Sequence, residues 1–418
     1  MKPKIKDEIW NFAKTNGLDD IVVISHGWRN SAKDAQTFYG ALWKNIQAKL
    51  GSLTKTGVIG IEWHSMAYDE SFEASLFVSD ENSVAGAGAS ATTGDLTEEE
   101  FARRLADGLA AIDAGQWTAS TTASIEAFID NQSVTNARAV FEALTKAVPK
   151  TGDAELDGLI DTLRHLAESD DAAGILGGLG TPVAIPDTGG SVQGIFDGIG
   201  RVLAGPRVAV AKLLNFMGYW EMKRRAGVIG AKLAGEIFAK LSPARPLRLH
   251  LIGHSFGARV ISALTNAMPD GAVVQIASMT LLQAAFSHNG YSKRPAPAES
   301  GVFTAVPGKV KGVIAVTHTH NDLACFRVYA LASRLSNDVT AAFGDANDDY
   351  GAMGANGPQH YHGTLHPVTD IAKPGLKPTP AVNAIKADAF ISDHGDVSND
   401  KVGEFVANVI RAAAPGIG

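Results

Sequence analysis

Gly253-His254-Ser255-Phe256-Gly257 sets a serine between two glycines in the pattern G-x-S-x-G. The motif directly follows the aliphatic run Leu247-Arg248-Leu249-His250-Leu251-Ile252. It directly precedes a segment in which Val260, Ile261, Leu264 and Met268 repeat at helical spacing. A serine hydroxyl is a weak nucleophile until a base takes its proton, and a sharp strand-to-helix turn exposes it to such a base. That turn crowds the backbone, so Gly253 and Gly257 leave room for neighbouring chain. The helix start aims backbone N–H groups at the site and makes the N–H of Phe256 an oxyanion donor. The competing explanation is a serine in an ordinary glycine-containing turn, and the strand before and helix after weigh against it.

Ser25-His26-Gly27-Trp28 ends a second apolar run, Ile21-Val22-Val23-Ile24. In His-Gly loops of this kind the residue after glycine donates its N–H, which assigns Trp28 as the second oxyanion donor. A plain strand-ending turn with a core tryptophan is the alternative.

Parallel strands buried on both faces must position these turns, and they read as short aliphatic runs that stop at polar or glycine-containing segments. Besides the two runs already named, Val58-Ile59-Gly60-Ile61, Met279-Thr280-Leu281-Leu282 and Val313-Ile314-Ala315-Val316 fit that description. Helical patterns lie between them, so the expected class is α/β with a doubly wound, mainly parallel sheet. The second and third strands are separated by about 180 residues, far more than one crossover helix needs, and this marks an insertion. Within it, Thr97 to Glu100 has capping-box spacing before Phe101, Leu105, Leu109 and Ile112, and Leu156, Ile160, Leu163 and Leu166 repeat the helical pattern. From Gly174 to Gly205 the chain is rich in glycine, with Pro182 and Pro186, and reads as a connector. Val192, Ile195, Phe196, Ile199, Val202 and Leu203 predict one more amphipathic helix, weakened by its glycines.

The motifs and their order resemble the α/β-hydrolase superfamily of serine esterases and lipases, over residues 18–68 and 245–400. Ile61-Glu62-Trp63-His64-Ser65 and Thr319-His320-Asn321-Asp322-Leu323-Ala324 point further to a poorly characterised bacterial branch with a short N-terminus. Some 20 residues precede the first strand, so the first two strands of the family sheet are expected to be absent. The resemblance implies hydrolysis of carboxylic esters through a serine, an acid and a histidine in that chain order, with amide or thioester hydrolysis on the same residues, or a non-catalytic binding or scaffold protein of the same fold, as the alternatives. The acid then falls on Asp322, just beyond the Val313–Val316 run, to orient the imidazole, with Asp338 and Asp345 as competitors. The base falls on His394, in Ser392-Asp393-His394-Gly395-Asp396 after an expected last strand in 384–391, with His360, His362 and His366 as rivals.

Those three histidines stand near Asp370 but match no zinc-protease spacing, and Gly363 and Pro367 argue for a loop. Asp345, Asn347 and Asp349 imitate the start of a calcium loop, yet Tyr350 stands where glycine is needed and Asn356 where a bidentate glutamate is needed. The expected chemistry uses no metal and no cofactor. The single cysteine, Cys325, cannot form an intramolecular disulfide. A net charge of −7 provides no basic field for nucleic acid. No apolar run reaches about 18 residues, and the first residues lack the apolar stretch of a secretory signal, so a cytoplasmic protein is expected.

The expected organisation is a catalytic core of residues 1–68 and 216–418 with a helical insertion at 69–215. The insertion leaves at the carboxyl end of a strand, where open α/β sheets carry their binding crevice. It is expected to act as a lid over a small ester substrate with an apolar acyl or alcohol group, Phe196 and Ile199 on its inner face, the alternative being a helical subdomain that packs beside the sheet or makes an oligomer contact.

Overall fold

The structure, a computed structural model, describes residues 5–28, 30–65, 119–148, 154–179, 205–241, 247–293, 301–322 and 351–413. The chain divides into two units, one of Met1–Ser65, Lys223–Ala330 and Ala341–Gly418, the other of Met66–Met222 and Leu331–Thr340.

In the first unit α1 (Ile5–Thr15) leads into β1 (Asp20–Ser25), every residue of which is buried. Helix α2 (Ala32–Gln47) begins at a capping box in which Ser31 accepts from the N–H of Asp34 and Asp34 accepts from the N–H of Ser31. Strand β2 (Thr56–Ile61) follows, with the insertion after it. The second unit contains α3 (Ala119–Asp130), α4 (Val134–Ala147), α5 (Ala154–Glu168) and α6 (Ala172–Leu179). Ile125, Phe128, Phe141, Leu144, Ile160, Leu163 and Leu176 are buried there, the apolar stripes that helices of this length need to cover. Arg138 on α4 donates to the carbonyls of Glu168 and Ser169 at the end of α5, where a cation also meets the negative end of the helix dipole. Helix α7 (Pro206–Glu236) then runs back into the first unit.

The first unit further contains β3 (Arg248–His254), α8 (Phe256–Ala267), β4 (Gln275–Leu282), β5 (Val313–His318), β6 (Leu365–Val368), β7 (Val382–Lys386) and α9 (Asp400–Ala413). Among the described residues seven strands form one sheet in the order β2-β1-β3-β4-β5-β7-β6, and every pairing in it is parallel. One face is covered by α2 and α9, with Val22, Ile24, Ile252 and Ala315 packed among Leu42, Ile46, Phe405 and Val409. Ile21, Val23, Leu249 and Leu251 are one residue out of phase and point to the other face. Helix α8 packs along β3 and reaches β1 and β4. Lys309 caps its C-terminus by donating to the carbonyls of Asn266 and Met268.

Several expectations are corrected. The last strand is not 384–391 but Val382–Lys386, because the Ala387 N–H donates to the His318 carbonyl and the chain then turns at Phe390 and Ile391 back onto Ala387. The loop expected around Pro367 includes β6, an edge strand, where a residue without an N–H loses no ladder bond. The start of the glycine-rich stretch is helical in α6, despite Gly174, Gly177 and Gly178. The helices expected at 97–112 and 192–203, including Phe196 and Ile199, lie outside the described residues. Among the described residues no helix is long and apolar enough to cross a membrane.

Candidate active site

Strand β3 passes into helix α8 through one residue, Ser255, whose φ of 55° and ψ of −121° are sparsely populated for any residue with a β-carbon. Such a conformation costs on the order of 1 to 3 kcal/mol and persists only where its surroundings determine it. Here the Ser255 N–H donates to Leu282 at 3.0 Å, and its carbonyl accepts from Ala258 at 3.1 Å and Ala285 at 3.3 Å. The flanking glycines are required by close approach. A β-carbon on Gly253 would collide with the backbone of Gly257 and Ala258, and one on Gly257 with the carbonyls of Ser25 and His26. The serine turn therefore sits directly on the His-Gly loop after β1.

Two other loops at the same end of the sheet bring the acid and the histidine. His394 Nε2 lies 2.9 Å from Ser255 Oγ, and His394 Nδ1 lies 2.9 Å from each carboxylate oxygen of Asp322. Ionised Asp322 can only accept, so Nδ1 carries the proton and Nε2 presents its lone pair to the serine hydroxyl. Asp322 is fully buried and His394 is 22% exposed, which leaves the imidazole at the solvent edge of the chain of bonds. Burial disfavours a charged His394 ring, but the charge and hydrogen bond of Asp322, with the charge of Asp393, outweigh it and hold the pKa above the ordinary 6.5.

The acid loop and the histidine loop are tied together. The Asp388 carboxylate accepts from the Thr319 hydroxyl at 2.6 Å and the His320 N–H at 3.0 Å. The Asn321 amide donates to the carbonyls of Asp388 and Ile391. His254 Nε2 donates to the His394 carbonyl at 2.7 Å, which fixes the backbone of His394 from within the G-x-S-x-G motif itself. Burial drives the His254 pKa down to about 3, with the neighbouring His394 adding to the fall, so this ring is a neutral donor at ordinary pH.

On the other side of Ser255, the His26 ring stacks on Trp63, donates from Nδ1 to the Gly27 carbonyl at 2.8 Å and accepts the Trp63 N–H at Nε2. Burial lowers the His26 pKa and keeps it neutral, as that pair of roles requires. With the Gly27 carbonyl held and the peptide trans, the Trp28 N–H is fixed on the opposite edge of that peptide plane. The rings of Trp28 and Phe256, the two residues assigned as oxyanion donors, lie 6.0 Å apart.

The rivals are engaged elsewhere. His360 Nδ1 lies 2.8 Å from Asn289 Oδ1, the His362 ring lies against Tyr361, and His366 is in edge strand β6. Asp338 and Asp345 lie outside the described residues, as does Cys325. Among the described residues no three His, Cys, Asp or Glu side chains are grouped to hold a metal ion.

A second serine, histidine and aspartate are linked in the lower half of the sheet. His250 lies 2.8 Å from Ser278 Oγ and 3.0 Å from Asp20 Oδ1, all three side chains buried. Arg248 binds both oxygens of Asp20, at 2.6 and 2.7 Å. Ser278 lies within a strand, its hydroxyl closed in the core, so this set has the residue types of a triad without access to a substrate.

Reading the sequence residue by residue leaves two members of the site without a role. His254 was visible as the variable position of the motif, and Gln283 as a polar residue immediately after the core strand Gln275–Leu282, at the carboxyl end where sites gather. No family model, no curated protein and no solved structure matches the chain.

Proposed function

We propose that the protein is a serine hydrolase that cleaves carboxylic esters on an α/β-hydrolase-type core. The observation that supports this reading is the continuous path from Ser255 Oγ through His394 to Asp322, with both links at 2.9 Å and the serine on a strained strand-to-helix turn. In the reaction Ser255 Oγ attacks the acyl carbon while its proton passes to His394 Nε2. The carbonyl electron pair moves to oxygen, held by the N–H groups of Trp28 and Phe256. The pair returns, the bond to the alcohol breaks, and the alcohol leaves with the proton from His394. Water then gives a proton to His394 and attacks the acyl-enzyme, releasing the acid and restoring Ser255. Asp322 stays ionised throughout and stabilises the imidazolium.

The same reading makes the insertion a lid, since it leaves the sheet after β2, at the strand end that carries the site. The test is a panel of p-nitrophenyl esters, anilides and thioesters with the wild-type protein and Ser255→Ala, together with labelling by a fluorophosphonate. Ester turnover and labelling, both lost in Ser255→Ala, are the expected results. Preference for anilides or thioesters moves the substrate class, and a folded wild type that neither labels nor turns over any of them ends the enzyme reading.

A further inference from the structure

We infer that Gln283 is a positioning residue for the acid of the site, acting on Ser255 chemistry only through Asp322 and His394, and the inference rests on the triad reading above. Gln283 follows β4 directly, is fully buried, and has a φ of 46°, unusual for a residue with a β-carbon. Its amide nitrogen lies 3.1 Å from Asp322 Oδ2 and 3.0 Å from the Gly354 carbonyl. Its amide oxygen accepts from the Thr317 hydroxyl at 2.8 Å, and its backbone N–H donates to the same hydroxyl at 3.1 Å. The amide orientation follows from these partners. Turned over, the oxygen would face a carboxylate and a carbonyl, neither of which can donate.

Each bond has a consequence for Asp322. Strand β5 supplies Thr317 and the 351–357 segment supplies Gly354, so the amide is held on two sides before it meets the carboxylate. The carboxylate is then fixed with both oxygens equidistant from His394 Nδ1. The choice of a neutral donor also matters. A lysine or arginine at 283 would stabilise the ionised acid equally but would cancel the negative charge that the imidazolium needs. An amide holds the carboxylate and leaves its charge intact. The left-handed backbone at 283 aims the side chain back across the strand end, which gives the local strain a purpose at the site.

The ionisable groups around this carboxylate and its partner are His394, bonded to it, His254, whose ring centre is 4.9 Å from that of His394, and Asp393, whose charge acts on His394. The test uses the full chain with two substitutions. Gln283→Met keeps the length of the side chain and removes both donors, and Gln283→Glu keeps the shape and donates only when protonated. For each variant the thermal midpoint establishes folding, the low-field proton resonance of His394 Nδ1 reports the bond to Asp322, and p-nitrophenyl ester kinetics report turnover.

The expected result for folded Gln283→Met is a shifted or broadened His394 resonance and a fall in kcat of roughly 10- to 100-fold with KM unchanged, the scale of one lost hydrogen bond to a charged group. Gln283→Glu is expected to approach wild-type turnover at the acidic end of the working range, where the paired carboxylates share a proton, and to lose ground as pH rises. A folded Gln283→Met with an unchanged resonance and unchanged kcat overturns the inference. So does a Gln283→Glu whose ratio to wild type is flat with pH. Should the resonance respond while the wild type hydrolyses no ester, amide or thioester, the positioning stands and the serine-hydrolase reading is what fails.

Discussion

Gly27 and Ser255 are in contact across the site: a β-carbon added to Gly27 would stand 2.7 Å from the β-carbon of Ser255 and 3.2 Å from its hydroxyl. The two nearest crowding atoms belong to the serine itself, with His254 Nδ1 next at 3.3 Å, so relief requires the serine or the His-Gly loop to move. Gly27→Ala is therefore expected to leave a folded protein whose kcat/KM for an ester falls by about 100-fold, since a displacement near 1 Å at a reacting group has that scale of effect. Steady-state kinetics beside a thermal melt checks it, and wild-type turnover in the alanine variant contradicts the described contact.

The second prediction concerns pH. In the proposed hydrolase His394 must be neutral to take the serine proton, and its pKa is held above 6.5 against burial by Asp322 and Asp393. The acid limb of kcat/KM is then expected to have its midpoint above 6.5, with activity lost as pH falls through it. Removing the charge in Asp322→Asn moves that midpoint down and lowers kcat on the order of 10⁴-fold. A pH–rate profile of both proteins gives the answer. A limb below 6.5 in the wild type, or one that stays in place in Asp322→Asn, counts against the pairing.

His254 offers a third test. His254→Phe retains an aromatic ring beside Phe38 and His394 but removes the donor to the His394 carbonyl. One neutral hydrogen bond corresponds to about a tenfold change, so kcat is expected to fall by that factor while the melting temperature changes little. No loss of kcat would mean that the His394 loop is positioned by the Asp388 and Asn321 contacts alone.

The fourth prediction is about stability rather than turnover. Burial would raise the pKa of Asp20, but the hydrogen bonds from Arg248 and His250 outweigh it and bring the group down from 3.8 to about 2. A lowered carboxylate pKa stabilises the fold above the unfolded value and loses that contribution as pH falls from about 4 to about 2. The contribution is on the order of 2 kcal/mol. Asp20→Asn should flatten the acid side of a plot of unfolding free energy against pH, measured by denaturant titration, without altering ester kinetics at neutral pH. A curve with the wild-type slope between pH 4 and 2 would remove Asp20 from acid unfolding.

Strands β1 to β5 were legible because parallel strands covered on both faces must be continuously apolar, and Ile21–Ile24 and Val313–Val316 are. Strand β6 was not, because Leu365 to Pro367 at the sheet edge are only partly covered and carry no such run. The end of β7 was set too late because Ala389, Phe390 and Ile391 continue the apolar composition, while a contact to His318 on β5 turns the chain. Ser255 could be found from local spacing alone. Asp322 and His394 needed chain order, and the structure places them within hydrogen-bonding reach of one another and of Ser255. Gln283 and His254 could not be assigned roles in advance, since their partners stand 39 and 140 positions away and no local pattern announces such a bond.

The strand order has a consequence for synthesis. Strand β1, next to the sheet edge, pairs on one side with β2, made soon after it, and on the other with β3, which begins at Arg248 about 220 residues after Ser25. At roughly 5 to 20 residues per second, that edge waits on the order of 10 to 45 s for its partner on the ribosome. During that time Ile21 to Ile24 present an unpaired apolar edge of the kind that other chains can join. Because Gly257 rests on the carbonyls of Ser25 and His26, the serine turn cannot take its final form on an isolated C-terminal half either. The first 25 residues and the motif near 255 are thus expected to mature as one late event, and a nascent chain arrested before residue 248 should be a substrate for holding chaperones.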